Sequence, residues 1–274
     1  MKAIRREPRG LRLTLLTLGG LFLLVFLILP VATVFASAFQ EGWARYGDAL
    51  QDPDVLSALR LTLVIAGICV PVNTLIGILL AWCIARFSFR GKALLTSLIE
   101  TPFAISPVIV GLMFVILFGA HSALGRWLDA HDLHIVFALP GMALATAFVT
   151  LPFVARTLIP LMQAQGQDAE EAALTLGASG WQIFWRVTLP NIKWGLLYGI
   201  VLTNARAIGE FGAVAVVSGL IRGQTTTLPL MIGILFDEYA FTAAFAASTL
   251  MAFLAIFTVI AKSLLERWIK TSSH

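Results

Sequence analysis

Two charged side chains, Arg206 and Glu210, interrupt a long apolar stretch. They are four residues apart, so a helix would place them on one face. A charge at the centre of a bilayer costs about 2.5–3.5 kcal/mol on insertion scales, and such residues usually pair, face a bundle interior and mark a pathway. If this stretch crosses a membrane, the pair predicts a pathway or gate. The alternative is a structural ion pair that fixes helix packing. Asn204 adds a hydrogen-bonding group on another face.

A second polar stretch, residues 168–190, separates two of the most apolar parts of the chain. Asp168, with Glu171 three residues later, has the pattern of a capping box and predicts a helix start. Gly177 stands where a helix end requires positive φ. Ser179, with Gln182 three residues later, predicts a second start. We therefore expect two short helices about a glycine, with Pro190 marking the join to the next span.

The second of these helices would carry an aromatic stripe, because i, i+3, i+4 spacing puts four side chains on one face: Trp181, Phe184, Trp185 and Thr188. Such a stripe can pack on its own bundle or on lipid headgroups. It can also insert into a groove of a partner protein, with the aromatic rings as anchors.

Catalytic chemistry has little support in the sequence. No phosphate-binding G-x-x-x-x-G-K-[ST] occurs. A predicted outer loop is rich in His and Asp, but the spacing fits no standard metal pattern: His121, Asp129, His131, Asp132 and His134. We expect no catalytic site, no metal site and no cofactor bound by this chain.

The composition points to a membrane protein. Of 274 residues, 59% are hydrophobic and 12% are charged, whereas soluble domains average about 25% charged residues. The basic residues are then better explained by membrane orientation than by nucleic-acid binding. The predicted fold is all-α: a polytopic membrane helical bundle forming a single transmembrane domain over residues 1–274.

Six segments approach or exceed the roughly 20 residues needed to span a bilayer. Their predicted limits are 13–38, 59–85, 101–119, 135–157, 193–218 and 240–261. The first is too long for a cleavable signal and is interpreted as an uncleaved helix. Pro102 and Pro107 interrupt the third, which predicts a broken helix buried in protein. The apolar piece within 219–239 is too short to cross.

The Lys and Arg residues predict the orientation. Fourteen flank one set of segment ends and four flank the alternate set. Because cytoplasmic loops carry the excess of Lys and Arg, both termini and residues 158–192 are expected in the cytoplasm.

Residues 171–190 resemble a cytoplasmic motif of ABC importer permeases, E-A-A, three residues, G, nine residues, I-x-L-P. Here Glu171-Ala172-Ala173 precede Gly177, and the motif ends in Val187-Thr188-Leu189-Pro190. Only Val187 departs from it. The resemblance implies a type I ABC importer permease fold in which residues 165–190 form a coupling loop. Its coupling helix would dock on an ABC ATPase dimer that carries ATP and Mg. A channel or a secondary transporter would not need this motif. A membrane enzyme would need a cluster of catalytic or metal-binding groups at membrane depth, and the predicted spans offer only Arg206 and Glu210.

A finer resemblance covers "PFAISPVIVGLMFVILFG", "VTLPFVARTLIPLM" and "LTNARAIGEFGAVAVVSGLIRGQTTTLPL". These segments are similar to the CysW-type inner-membrane subunits of bacterial sulfate/thiosulfate importers. The resemblance implies a second related permease subunit in a heterodimer and an external or periplasmic sulfate-binding protein. For such a substrate, the pathway interpretation of the charged pair is that Arg206 offers charge to a divalent oxyanion and Glu210 moderates the attraction. The alternative substrate is molybdate or tungstate.

Overall fold

The computed structural model describes residues 9–272, and the side chains of residues 10–264. Several residues that contribute to the predicted orientation lie outside the described residues: Lys2, Arg5, Arg6 and the side chains of Arg9, Arg267 and Lys270. Every regular element within the described range is helical, which confirms the all-α prediction.

The helices follow one another with short connections. In chain order they are α1 (Arg9–Leu23), a π-helical turn (Leu24–Ile28), α2 (Leu29–Ala38), α3 (Gly42–Gln51), α4 (Pro53–Arg86), α5 (Lys92–Ala104), α6 (Pro107–Phe118), α7 (Ala123–Asp129), α8 (Leu139–Thr150), α9 (Pro152–Gln165), α10 (Asp168–Thr175), α11 (Gly180–Ile183), a second π-helical turn (Phe184–Thr188), α12 (Leu189–Ile208), α13 (Gly212–Val217), α14 (Leu228–Asp237) and α15 (Phe241–Ser272).

The chain divides into two compact units. The first comprises the described residues up to Asp52 together with Ile232–Leu250. Within it, the Tyr46 hydroxyl lies 2.9 Å from Thr249 Oγ1. The second comprises Pro53–Met231 and the chain after Leu250, and it holds both candidate sites.

The core of the second unit forms around α4, which packs against α8, α9 and α12. A close approach of α4 to α9 depends on Gly77, because a Cβ there would lie 2.6 Å from Cβ of Val154. Small residues at helix interfaces allow such approaches in membranes. Asn73 is buried and donates to the Ala147 carbonyl (2.9 Å) and to Thr150 Oγ1 (2.7 Å), so it joins α4 to α8.

Within the described residues, four helical stretches are long and apolar enough to cross a membrane. They are Gly10–Ala38, Pro53–Arg86, Leu139–Gln165 and Phe241–Leu264. The pair α5 and α6 forms a fifth candidate, bent by 107° at its break. The break before Pro107 confirms the predicted interruption. Six of the twelve residues of α6 are exposed in the single chain, Ile116 by 66%, so the predicted burial in protein stays a prediction.

The fifth predicted span, 193–218, is divided in the structure. Helix α12 ends at Ile208 and the short α13 begins at Gly212. Lys193, Asn204 and Arg206 reduce the apolar character of α12. Its 20 residues nevertheless correspond to roughly 30 Å, about the thickness of the hydrocarbon core. The count of six spans stays a prediction. Helix α14 is apolar but short, as expected.

Candidate coupling segment and translocation pathway

The coupling segment begins with α10, whose first turn carries Asp168, Glu170 and Glu171. Negative charge at this end is favoured by the helix dipole. The predicted capping box at Asp168 is wrong, because Asp168 lies inside the helix and Gln167 occupies the N-cap position without a side-chain cap. The Gln167 amide instead donates to the Arg86 carbonyl at 3.4 Å. The side chain that could have capped the helix is therefore used to join it to α4.

Gly177 ends α10 with φ of +81°, as the sequence predicts. Its N–H donates to the Leu174 carbonyl (2.9 Å), and the Ala178 N–H donates to the Ala173 carbonyl (3.0 Å). These two bonds form a Schellman motif, which satisfies carbonyls left open at a helix end. The turn sets the direction in which the chain leaves α10.

The second short helix begins with the predicted capping box. The Gln182 N–H donates to Ser179 Oγ, and the Ser179 N–H donates to Gln182 Oε1. From Gly180 the chain stays helical through the π-helical turn and α12 to Ile208. Pro190 does not mark a join between separate helices. It lies in the first turn of α12, where its missing N–H matters least.

The predicted aromatic stripe divides into an inner and an outer part. Phe184 packs on Trp82 of α4, with ring centroids 5.4 Å apart, and Thr188 is buried. Trp181 and Trp185 expose 71% and 50% of their surface. Glu171 and Ala172 are also exposed, and Ala173 and Leu189 are half-buried. The segment thus contacts its own bundle through one side and presents a carboxylate and two indoles on the other.

An ion pair that sequence reasoning missed fixes this segment to the bundle. Arg86, the last residue of α4, approaches Glu170 through Nε (2.7 Å to Oε2) and Nη2 (3.2 Å to Oε1). Its Nη1 donates to the Met162 carbonyl at 2.7 Å. Thr188 Oγ1 donates to Glu170 Oε1 at 2.7 Å. One carboxylate therefore connects α4, α10 and the π-helical turn before α12.

The second candidate site lies at the division between α12 and α13. Nη1 of Arg206 lies 2.5 Å from Oε2 of Glu210, so the predicted pair forms. Glu210 follows the end of α12, however, and the two residues do not share a continuous helix. Oε1 of Glu210 accepts the Ala213 N–H at 2.9 Å, which satisfies a free donor in the first turn of α13. The Glu210 side chain is 1% exposed and that of Arg206 is 31% exposed.

The two glycines beside the Arg206–Glu210 pair differ in how closely other residues approach them. Gly212 allows close packing, since a Cβ there would lie 3.1 Å from Cβ of Pro107, whereas Gly209 has only the Ala205 carbonyl nearby. Asn204 is half-buried on α12. Among the described residues, no three His, Cys, Asp or Glu side chains form a group that could hold a metal ion.

A protein-family model described as "Binding-protein-dependent transport system inner membrane component" matches residues 73–271. The chain belongs to this family. The matched range includes the coupling segment and the Arg206–Glu210 pair, and a multi-pass transport component agrees with the apolar helices of the structure.

This inner-membrane transport component is similar to sulfate permeases. It is 52% identical over 252 residues to the sulfate transport system permease protein CysW of Escherichia coli K12, which covers 92% of this chain and 87% of that protein. It is 51% identical to CysW of Synechocystis sp. PCC 6803 (95% and 94% covered). It is also 37% identical to CysT of Escherichia coli K12, with 90% of each chain covered. The predicted resemblance to CysW-type subunits is confirmed.

The fold of this transport component also matches a solved one. A chain of a bacterial ABC transporter involved in the import of the acidic polysaccharide alginate superimposes with a TM-score of 0.80, at 20% identity. The match covers 94% of this chain and 96% of that chain. A second structure of a bacterial alginate ABC transporter is in complex with an alginate pentasaccharide-bound periplasmic protein (TM-score 0.79). At this identity the likeness concerns the fold, and it confirms the expected permease architecture.

Proposed function

We propose that this chain is a permease subunit of an ATP-driven importer that carries sulfate or thiosulfate into the cytoplasm. The observation that carries the proposal is the 52% identity to a sulfate permease across 92% of this chain. The CysW and CysT relatives are named for sulfate, which does not favour the molybdate or tungstate alternative.

The proposed assembly needs several partners. Relatives of both the CysW and CysT type support a heterodimer of two related permeases. A separate ATPase dimer would bind and hydrolyse ATP with Mg, and a periplasmic or external binding protein would deliver the anion. Six spans with both termini in the cytoplasm would place residues 165–190 on the ATPase side. The bilayer itself is the remaining partner.

In the proposed coupling step, the exposed side of the coupling segment docks in a groove of the ATPase. Glu171, Ala172 and Ala173 contribute the α10 surface, and Trp181 with Trp185 supplies aromatic anchors. Gly177 sets the angle between the two short helices. Leu189 and Pro190 begin α12, so displacement of the docked helix reaches the membrane directly. The Glu170 carboxylate would transmit the same displacement to α4.

In the proposed pathway, the partly exposed Arg206 guanidinium attracts the oxyanion, and Glu210 limits the attraction so that the ion is released. Weak binding is a requirement of conduction. Asn204 would supply a further hydrogen-bonding group. The closeness of the pair and its position at a helix division support this assignment.

The substrate is tested by uptake of radiolabelled sulfate into proteoliposomes that contain the complete transporter. We expect ATP-dependent uptake that unlabelled thiosulfate inhibits strongly and molybdate inhibits weakly. Saturable molybdate uptake without sulfate uptake would overturn the assignment. ATP-independent uptake would exclude an ATP-driven importer.

The pathway is tested with two variants, because Arg206→Ala alone would leave a buried carboxylate unpaired. Arg206→Ala is expected to abolish uptake with the complex still assembled. Arg206→Gln combined with Glu210→Gln removes both charges and should assemble normally, yet remain inactive. Recovery of uptake in this double variant, or failure of Arg206→Ala to assemble, would make the pair structural and end the pathway proposal.

A further inference from the structure

A small cavity lies beside Glu210 in the second unit. Its volume is about 10 Å³, and its lining includes Thr62, Thr146, Thr227 and the Glu210 carboxylate. The four polar residues come from α4, α8, the segment before α14 and the division between α12 and α13. A cavity of roughly 10–15 Å³ is the smallest that holds one water molecule.

Two of the lining hydroxyls lack a hydrogen-bond partner among the described residues. Thr146 is fully buried and Thr227 is 3% exposed, and Oγ1 of each is unsatisfied. A helical Thr commonly donates to the carbonyl four residues earlier, as Thr150 does to Thr146 at 2.7 Å. Thr146 itself makes no such bond. Burial of an unpaired hydroxyl costs about 1–3 kcal/mol, so each needs an acceptor.

The other two polar groups can accept. Thr62 Oγ1 donates to the Ala58 carbonyl (2.8 Å) and accepts the Leu228 N–H (2.8 Å), which leaves it one lone pair. Oε2 of Glu210 contacts Arg206, and a carboxylate oxygen accepts more than one bond. The cavity is therefore lined by two unsatisfied donors and two available acceptors.

We infer that this cavity is a binding site for one structural water molecule. The water accepts the hydroxyl protons of Thr146 and Thr227 and donates its own two to Glu210 Oε2 and Thr62 Oγ1. It thus makes four hydrogen bonds, at the upper end of the two to four that buried waters make. A monovalent cation fits less well, because Arg206 already neutralises the Glu210 carboxylate and a hydroxyl proton cannot point at a cation.

The water site would make Glu210 a positioning residue for elements beyond Arg206. Through one molecule the carboxylate is joined to α8 and to the Thr225–Thr227 segment, in addition to the backbone of α13. Movement of α13 away from α8 has to break these bonds. The inference does not depend on the substrate or on whether Arg206 meets it, so the two proposals can fail separately.

The direct test is cryo-electron microscopy of the assembled wild-type complex at a resolution that shows ordered water. We expect a single peak within hydrogen-bond distance of Thr146, Thr227, Thr62 and Glu210. A cavity without density at that resolution would overturn the inference.

The second test uses the sign of a stability change in the purified complex. With a water present, Thr146→Val and Thr227→Val each remove one of its bonds and should lower the Tm by about 2–4 °C. The double variant should lose less than the sum, since both act on the same molecule. Without the water, each substitution removes an unsatisfied hydroxyl and should raise the Tm or leave it unchanged, which would contradict the assignment.

Two controls complete this test. Thr203→Val makes the same change at a buried helical hydroxyl that already donates to the Gly199 carbonyl, so its fall in Tm calibrates the loss of one buried hydroxyl bond. Exchange of sodium for choline in the buffer should leave the Tm of the wild-type complex unchanged. A Tm that requires sodium would assign the site to a cation and refute the water.

Discussion

Glu170 is held by Arg86 across 84 residues of sequence, with Nε and Nη2 of the guanidinium facing its two oxygens. Their side chains are 16% and 8% exposed, so the pair is well shielded from water. Nη2 donates to Oε1, and the Nε–Oε2 contact of 2.7 Å adds the attraction of opposite charges. The neighbouring Glu171, which belongs to the motif, is exposed. The two adjacent glutamates therefore differ in role. Glu170 binds the helical bundle through Arg86, and Glu171 is accessible to the proposed ATPase.

Arg86→Met is expected to loosen the coupling segment. It leaves Glu170 largely buried without its partner, which costs about 3–5 kcal/mol for a buried pair. We expect a lower Tm of the purified complex and ATP hydrolysis that no longer drives proportionate uptake. Asp168→Asn removes an exposed carboxylate from the same turn and should leave both readings near wild type. Equal effects of the two variants would contradict a special role of the Arg86–Glu170 pair.

Gly177→Ala is expected to misalign the two short helices. Its φ of +81° lies in the left-handed region, and an alanine there costs about 1–2 kcal/mol although open space surrounds the position. Uptake should fall several-fold while the permease still inserts and folds. Gly180→Ala also meets nothing within 4 Å but has no positive φ, so it serves as the matched control. Normal uptake by Gly177→Ala would show that the angle of the turn is not critical.

Gly77→Ala is expected to separate α4 from α9. The added Cβ would lie 2.6 Å from Cβ of Val154, and overpacking of this kind costs about 1–3 kcal/mol. The measurement is the Tm of the complex in detergent. Gly67→Ala lies on the same helix with nothing within 4 Å and should be neutral or slightly stabilising. A Tm that falls equally in both variants would show that the close approach to Val154 is not the cause of the loss.

Trp181→Ala and Trp185→Ala are expected to weaken binding of the proposed ATPase without destabilising the permease. Both indoles are at least half exposed, so little packing within the chain is lost. Co-purification of the ATPase should fall about tenfold or more if each ring is an anchor worth about 2 kcal/mol. Trp43→Ala removes an equally exposed indole, 75% accessible, from the predicted outer side. Retained co-purification in the first two variants would place the docking surface elsewhere.

Structural features of the coupling segment could be predicted from the sequence where the interactions that fix them are between neighbouring residues. The Gly177 turn and the Ser179–Gln182 box were predictable because each is fixed by residues within a few positions. The start at Asp168 was mispredicted because Gln167 is engaged by Arg86, a residue far away in sequence. The Arg86–Glu170 pair itself had no local signal, since a basic residue at a helix end also fits the orientation rule.

Hydropathy also could not predict that the fifth span, 193–218, is divided into two helices. Apolar residues continue on both sides of Glu210, so a sequence window sees one segment. The chain instead ends a helix at Gly209 and uses the Glu210 carboxylate to begin another. The i, i+4 spacing did predict the ion pair correctly, although the helix that justified the argument stops between the two residues.

The unbroken helix from Gly180 to Ile208 has a mechanical consequence. At 1.5 Å per residue it is about 43 Å long, and its two ends are the two sites proposed for energy input and for anion passage. Because a helix shortens little under axial load, a displacement of one end is transmitted along its axis to the other end. The π-helical turn at Phe184–Thr188 contains one residue more than a regular turn would. This turn lies between α11 and α12, so a displacement of the docked helix has to pass through it before it reaches Arg206.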